Sequence, residues 1–176
     1  SLDSDGYLSQ LADIFNGITV NTPSISAIIA IVLAGVLLLA SGFASASEIA
    51  FFSLTPSDRN DIDEQNHPSD EKISALLGDS ERLLATILIT NNFVNVTIIM
   101  LCNFFFMNVF VFHSPLAEFL ILTVILTFLL LLFGEIMPKI YSAQKTLAFC
   151  RFSAPGIYFL EKLFRPIATV LVRSTT

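Results

Sequence analysis

Ile25–Ser47 reads ISAIIAIVLAGVLLLASGFASAS, and no residue between Asp13 and Glu48 carries a charge. Wound as a helix, this stretch is long enough to cross the roughly 30 Å of hydrocarbon in a bilayer, which makes it the first predicted membrane span. A second uncharged interval runs from Arg82 to Glu118, with helix predicted over Leu83 to Phe106 and a short turn over Asn108 to Pro115. A third span is predicted from Pro115 to Met137. It is built on Phe119-Leu120-Ile121-Leu122 and Leu129 to Phe133, with Glu118 near one end and Glu135 near the other.

The composition agrees with this reading. Of 176 residues 54% are hydrophobic and 14% charged, and the mean hydropathy is +0.75, whereas a soluble protein averages about 25% charged residues. Much of the exterior must therefore face hydrocarbon, so membrane lipid is the first expected partner. A formal charge of -6 and the lack of a basic-aromatic motif argue against nucleic acid. Cys102 and Cys150 suggest neither a disulfide framework nor a thiolate metal site. The fold class expected is an all-α membrane protein with three transmembrane helices per protomer.

Lys and Arg set the orientation, because cytoplasmic loops carry the positive excess. Arg59, Lys72 and Arg82 lie between spans one and two, and Lys139, Lys145, Arg151, Lys162, Arg165 and Arg173 follow span three. The N-terminus, with Asp3, Asp5 and Asp13, is expected outside and the C-terminus in the cytoplasm. Because the start is acidic, no cleavable signal peptide is expected. Residues 1–24 form an extracytoplasmic segment in this reading and 25–152 the three-span domain. Residues 153–176 are read as an amphipathic juxtamembrane helix leading to a cytoplasmic region.

Residues 55–80 are expected to hold a pair of short cytoplasmic helices. Thr55-Pro56-Ser57-Asp58 supplies a cap, a first-turn proline and an acid. Asn66-His67-Pro68 breaks the pair, Ser69-Asp70-Glu71 starts the second helix, and Gly78 can end it. His67 is read as a solvated turn residue. After Pro138 the chain turns amphipathic, with Ile140, Ala143 and Leu147 opposing Lys139, Ser142 and Lys145, which suits a helix lying along the membrane surface. Ile157, Leu160, Phe164, Ile167 and Leu171 repeat the theme, with a kink expected at Pro166.

Function is sought where polar atoms stand at hydrocarbon depth, since each must find a partner there. Ser41, Ser45 and Glu48 share one face of span one, either as small packing residues or as oxygen donors. Asn91 and Asn95 lie one turn apart on span two, where interhelical hydrogen bonding and a ligand role are equally open. In Gly134-Glu135-Ile136-Met137-Pro138-Lys139, Pro138 has no N–H, so in a helix the Gly134 carbonyl loses its partner beside the Glu135 carboxylate. The bland account is a proline-ended helix in which Glu135 pairs with Lys139. Taken together, Ser41, Ser45, Asn91, Asn95, the Gly134 carbonyl and Glu135 form an oxygen-rich set without imidazole or thiolate, better suited to Mg2+ or Ca2+ than to Zn2+ or Cu+. No nucleophile-base pair, phosphate-binding glycine loop or HExxH stretch is present, so the protein is not expected to be an enzyme.

The segments Ser41-Gly42-Phe43-Ala44-Ser45-Ala46-Ser47-Glu48-Ile49-Ala50, Leu83 through Asn95, and Gly134-Glu135-Ile136-Met137-Pro138-Lys139 resemble, in order and spacing, the transmembrane domain of the CNNM/CorC magnesium transporters. The resemblance covers Ile25 to Phe152. It implies a homodimer of three-span protomers in a bacterial inner membrane and a cytoplasm-facing cavity for dehydrated Mg2+, with Na+ as a counter-ion. It also implies a belt helix over Lys139 to Arg151. Its ligand positions fall on Ser41, Ser45, Asn91, Asn95, Gly134 and Glu135, with Glu48 standing behind them. Full-length relatives usually continue into ATP-binding CBS modules, which this chain does not contain. Thr90 stands where many relatives have glycine, and the long acidic N-terminal extension resembles that of a branch accessory to gliding motility in Bacteroidetes. The expected function is Mg2+ export. The rival is a non-transporting scaffold or Mg2+ sensor serving motility or secretion.

Overall fold

The computed structural model describes residues 2–175 and is almost wholly helical. In chain order the elements are α1 (Leu2–Asn16), β1 (Thr19–Val20), α2 (Ile25–Phe52), α3 (Pro56–Asp63), α4 (Asp70–Leu77), α5 (Ser80–Val109), β2 (Phe110–Val111) and α6 (Pro115–Leu129). A π-helical segment (Leu130–Ile136) leads into α7 (Met137–Gln144), α8 (Thr146–Leu163) and α9 (Arg165–Thr175). Ile25–Phe52, Ser80–Val109 and Pro115–Gln144 are long and apolar enough to cross a membrane, so the three expected spans are present. The chain divides into two compact units, residues up to Val36 with Thr97–Leu129, and Leu37–Val96 with Leu130–Thr176.

In the first unit, α2 turns small residues inward and large ones outward. Ala27, Ala30 and Ala34 are buried on α2 while Ile25, Ile29, Val32 and Val36 are exposed, and α6 exposes Leu116, Phe119, Val124 and Phe128. That inverts the pattern of a water-soluble protein and fits helices packed through small residues in lipid. The predicted turn between the second and third spans contains a strand instead. β1 and β2 pair antiparallel, Thr19 opposite Val111 and Val20 opposite Phe110, and the Asn21 N–H donates to the Val109 carbonyl at 2.6 Å. Backbone that leaves a helix at the membrane edge still needs hydrogen-bond partners, and Val and Phe favour extended pairing. Residues 2–16, expected only as an acidic segment, form α1.

The second unit holds a core in which Ala44, Ala50 and Phe51 of α2 meet Ile62, Ile73, Leu76, Leu83, Ile87, Cys150, Ala154 and Ile157. The helical pair at 55–80 is present. Thr55 Oγ1 accepts from the Asp58 N–H at 3.1 Å, and Asp58 Oδ2 accepts from the Thr55 N–H at 3.0 Å, which closes a reciprocal cap on α3. Thr55→Ala should lower stability by about 0.5–2 kcal/mol. A thermal midpoint equal to that of the exposed-site control Ser57→Ala would show that the cap contributes nothing. Helix α4 packs on α8, and Cys150 of α8 is fully buried. Burial, and secondarily the charge of Asp58, push its thiol up to about 12, so it stays protonated and unreactive.

The tail departs from expectation in its breaks. The belt region is interrupted at Lys145, whose φ of -130° and ψ of 55° separate α7 from α8. The boundary expected between residues 152 and 153 falls inside α8, and the second amphipathic stretch is shared between α8 and α9. Instead of a kink at Pro166 there is a helix end at Phe164, and Pro166 occupies the second position of α9, where its missing N–H costs nothing.

Candidate metal centre

Ser41 projects from α2 toward α5, where its Oγ lies 2.9 Å from Asn91 Oδ1 and 2.7 Å from Asn95 Oδ1. The two amides stand one helical turn apart, so both oxygens reach the same hydroxyl. A hydroxyl has a single proton, so with both amide oxygens turned inward Ser41 divides one hydrogen between two acceptors. Ser41 is completely buried, so bulk water does not screen this crowding. These three oxygens are of the kind a hard cation takes as ligands.

Gly134, in the π-helical segment, brings the third span to this cluster. A Cβ added there would lie 3.1 Å from Ser41 Oγ and 3.7 Å from Leu38 Cδ1, so only glycine permits the approach without displacement. Gly42 does the same from α2, where an added Cβ would meet Pro138 Cγ at 3.0 Å and the Phe133 carbonyl oxygen at 3.3 Å. The backbone reading made from Pro138 changes accordingly. An α-helical register assigns the missing N–H to the Gly134 carbonyl, but a π turn spans five residues and assigns it to Phe133. Since the segment up to Ile136 is π-helical, the loss bears on both carbonyls rather than on Gly134 alone.

Ser45 lies one turn beyond Ser41 on α2, fully buried, and its hydroxyl has no hydrogen-bond partner. Thr90, beside Asn91, is likewise buried with an unpartnered hydroxyl. An unsatisfied buried polar group costs about 1–3 kcal/mol, so each of these hydroxyls has bonding capacity left for a ligand or a water. Glu135 follows Gly134 in the chain and is half-buried. It makes no ion pair among the described residues. Lys139 Nζ lies instead 3.7 Å from Glu48 Oε2, joining α7 to α2, which replaces the Glu135–Lys139 pair of the bland account. The change from π to α winding between positions 135 and 139 removes the regular turn that would align those two side chains.

The structure thus brings Ser41, Asn91, Asn95 and Gly134 together, places Ser45 on the same face as Ser41, and sets Glu135 next to Gly134 with no ion pair to the described residues. Among the described residues no group of three or more His, Cys, Asp or Glu gathers as a metal cage. The donors are hydroxyl, amide and carbonyl oxygens, with one carboxylate close in sequence.

Residues 29–176 match the model of the cyclin M (CNNM) transmembrane N-terminal domain. The chain belongs to the CNNM family. It is 31% identical to a UPF0053 protein of Haemophilus influenzae over 134 residues, which cover 76% of this chain and 31% of that protein. It is 26% identical to a UPF0053 protein of Synechocystis over 140 residues, covering 80% of this chain and 39% of the relative. The chain therefore spans about a third of the length of these relatives. As a CNNM domain with three apolar spans, it is a multi-pass membrane protein.

In this CNNM domain one strong contact escaped the sequence reading. Asp70, fully buried at the start of α4, accepts from Arg151 of α8 through both oxygens, at 3.0 Å from Nε and 3.1 Å from Nη2. It also accepts from the His67 N–H. The partners are 81 positions apart, and no local pattern joins them. The sequence signals nothing about Thr90 beyond its departure from glycine, because only tertiary burial leaves its hydroxyl unpaired.

Proposed function

We propose that this CNNM domain carries Mg2+ across the membrane. Mg2+ enters from the cytoplasm, exchanges water for oxygens of Ser41, Ser45, Asn91, Asn95, the Gly134 carbonyl and Glu135, and leaves outward as the helices rearrange, with Na+ as counter-ion. The observation that carries the reading is the crowding of Ser41 against two amide oxygens. Neighbouring ligands of an octahedral ion bound at 2.0–2.1 Å stand about 2.9 Å apart, whereas the longer bonds of Ca2+ put right-angle neighbours about 3.3–3.7 Å apart. The separations of 2.7 and 2.9 Å are compatible with the shorter spacing, and they are equally those of ordinary O–H···O hydrogen bonds. The positive residues at 59–82 and after 138 support an N-terminus outside and a C-terminus in the cytoplasm of a bacterial inner membrane. The working form is a homodimer, and ATP-binding CBS modules following α9 complete the protein.

The test is Mg2+ flux in proteoliposomes. Asn95→Ala and Glu135→Gln should each cut the initial rate at least about tenfold, the scale seen when groups around a metal are removed. Flux equal to wild type in both variants removes these residues from the pathway. The Ser41 hydrogen bonds also suit a second reading, in which the amides join α2 to α5 in a scaffold or Mg2+ sensor accessory to motility or secretion. Mg2+-dependent thermal stabilisation without flux selects that reading.

A further inference from the structure

Helix α1 is exposed on every side from Ser4 to Asp13, and nothing in its unit covers its apolar face. Tyr7, Leu8 and Leu11 are 68%, 63% and 50% exposed, and their spacing of i, i+1 and i+4 puts them on one side of the helix, with Asp5 and Ser9 on the other. The helix is fastened at a definite level. Three residues beyond Asn16, Thr19 and Val20 pair with Val111 and Phe110. The Ser24 N–H donates to Asn108 Oδ1 at 3.2 Å, and Gly17 abuts His113 so closely that an added Cβ would lie 3.1 Å from the ring. These fastenings sit where α2 begins its span and α5 ends its own. The short link holds the end of α1 within about 10 Å of the membrane edge. Val20, Ile25, Leu116 and Phe119 are exposed around the same edge and continue the apolar surface toward the lipid-facing sides of α2 and α6.

We propose that α1 lies along the membrane surface with Tyr7, Leu8 and Leu11 inserted among lipid chains and its acidic side in water. A tyrosine at the head-group level and leucines just below it are the usual anchors of such a helix. The three side chains expose no more than a few hundred Å2, short of the roughly 800 Å2 per partner that a stable protein interface buries, which favours lipid over a second copy. No Lys or Arg precedes Arg59, so the attraction is apolar and neutral phosphatidylcholine suffices. The family match begins at residue 29, and α1 lies ahead of it.

The chain contains no tryptophan, so a single substitution supplies a reporter. Leu11→Trp and Ser9→Trp, each in the full chain, are compared in phosphatidylcholine nanodiscs, which leave both membrane faces open to solvent. Brominated phosphatidylcholine should quench Leu11→Trp at least about twofold more than Ser9→Trp, and aqueous iodide should show the opposite order. Equal iodide quenching at the two positions overturns the proposal. Protection of Leu11→Trp from both quenchers also overturns it, because the face is then covered by protein, such as a second copy.

Discussion

If the proposed site holds Mg2+, Gly134→Ala should weaken its binding about ten- to a hundredfold while leaving the fold as stable as wild type or slightly more so. The new methyl would come within 3.1 Å of Ser41 Oγ, and that oxygen cannot retreat without losing Asn91 or Asn95. Displacing one member of an oriented donor set weakens metal binding by about ten- to a hundredfold. Alanine otherwise favours a helix over glycine by roughly 0.5–1 kcal/mol, so loss of binding with an unchanged or raised thermal midpoint separates damage to the site from damage to the fold. Gly35→Ala is the control, since an added Cβ there meets nothing within 4 Å. Calorimetric titration with Mg2+ reads the result, and wild-type affinity in Gly134→Ala would detach the third span from the site.

Arg151→Ala is expected to be the most destabilising single change in the second unit. It would leave Asp70, which is fully buried, with the His67 N–H and no compensating charge. Removing one partner of a buried pair costs about 3–5 kcal/mol. For a chain of this size that lowers the thermal midpoint by roughly 10 °C. Adding Asp70→Leu to the single variant should recover much of the loss, because replacing both members of a buried pair by apolar groups is often close to neutral. The His67 N–H would then lack an acceptor, so recovery should remain incomplete. Equal midpoints for wild type and Arg151→Ala would mean that α4 is held on α8 by the apolar core alone. The pair also ties α4 to α8, so a variant that keeps Mg2+ binding but loosens α4 would assign Asp70 to structure rather than to ion handling.

Much of the architecture was legible because its causes are local. The uncharged runs at 14–47 and 83–117 each contain most of one long helix, Ile25–Phe52 and Ser80–Val109, whose length against the bilayer thickness marks it as a span. The Thr55 cap and the Gly78 stop were readable for the same reason, since donor and acceptor lie within a few residues of each other. Helix α1 was missed because Gly6 and scattered acids weaken a short amphipathic signal. The strand pair was missed because Thr19 and Val111 become partners only when two spans have folded.

At the candidate site the division is sharper. Hydropathy and spacing, on their own, established the spans, the face shared by Ser41 and Ser45, and the single turn between Asn91 and Asn95. Only the folded chain decided that Ser41 stands between those amides, that Gly134 abuts its hydroxyl, and that Lys139 reaches Glu48 instead of Glu135. The physical reason is that periodicity defines a helix face but not its rotation or depth against a neighbour. Those depend on small-residue contacts such as Gly42 on Pro138, and on a π turn that shifts every later side chain around the axis.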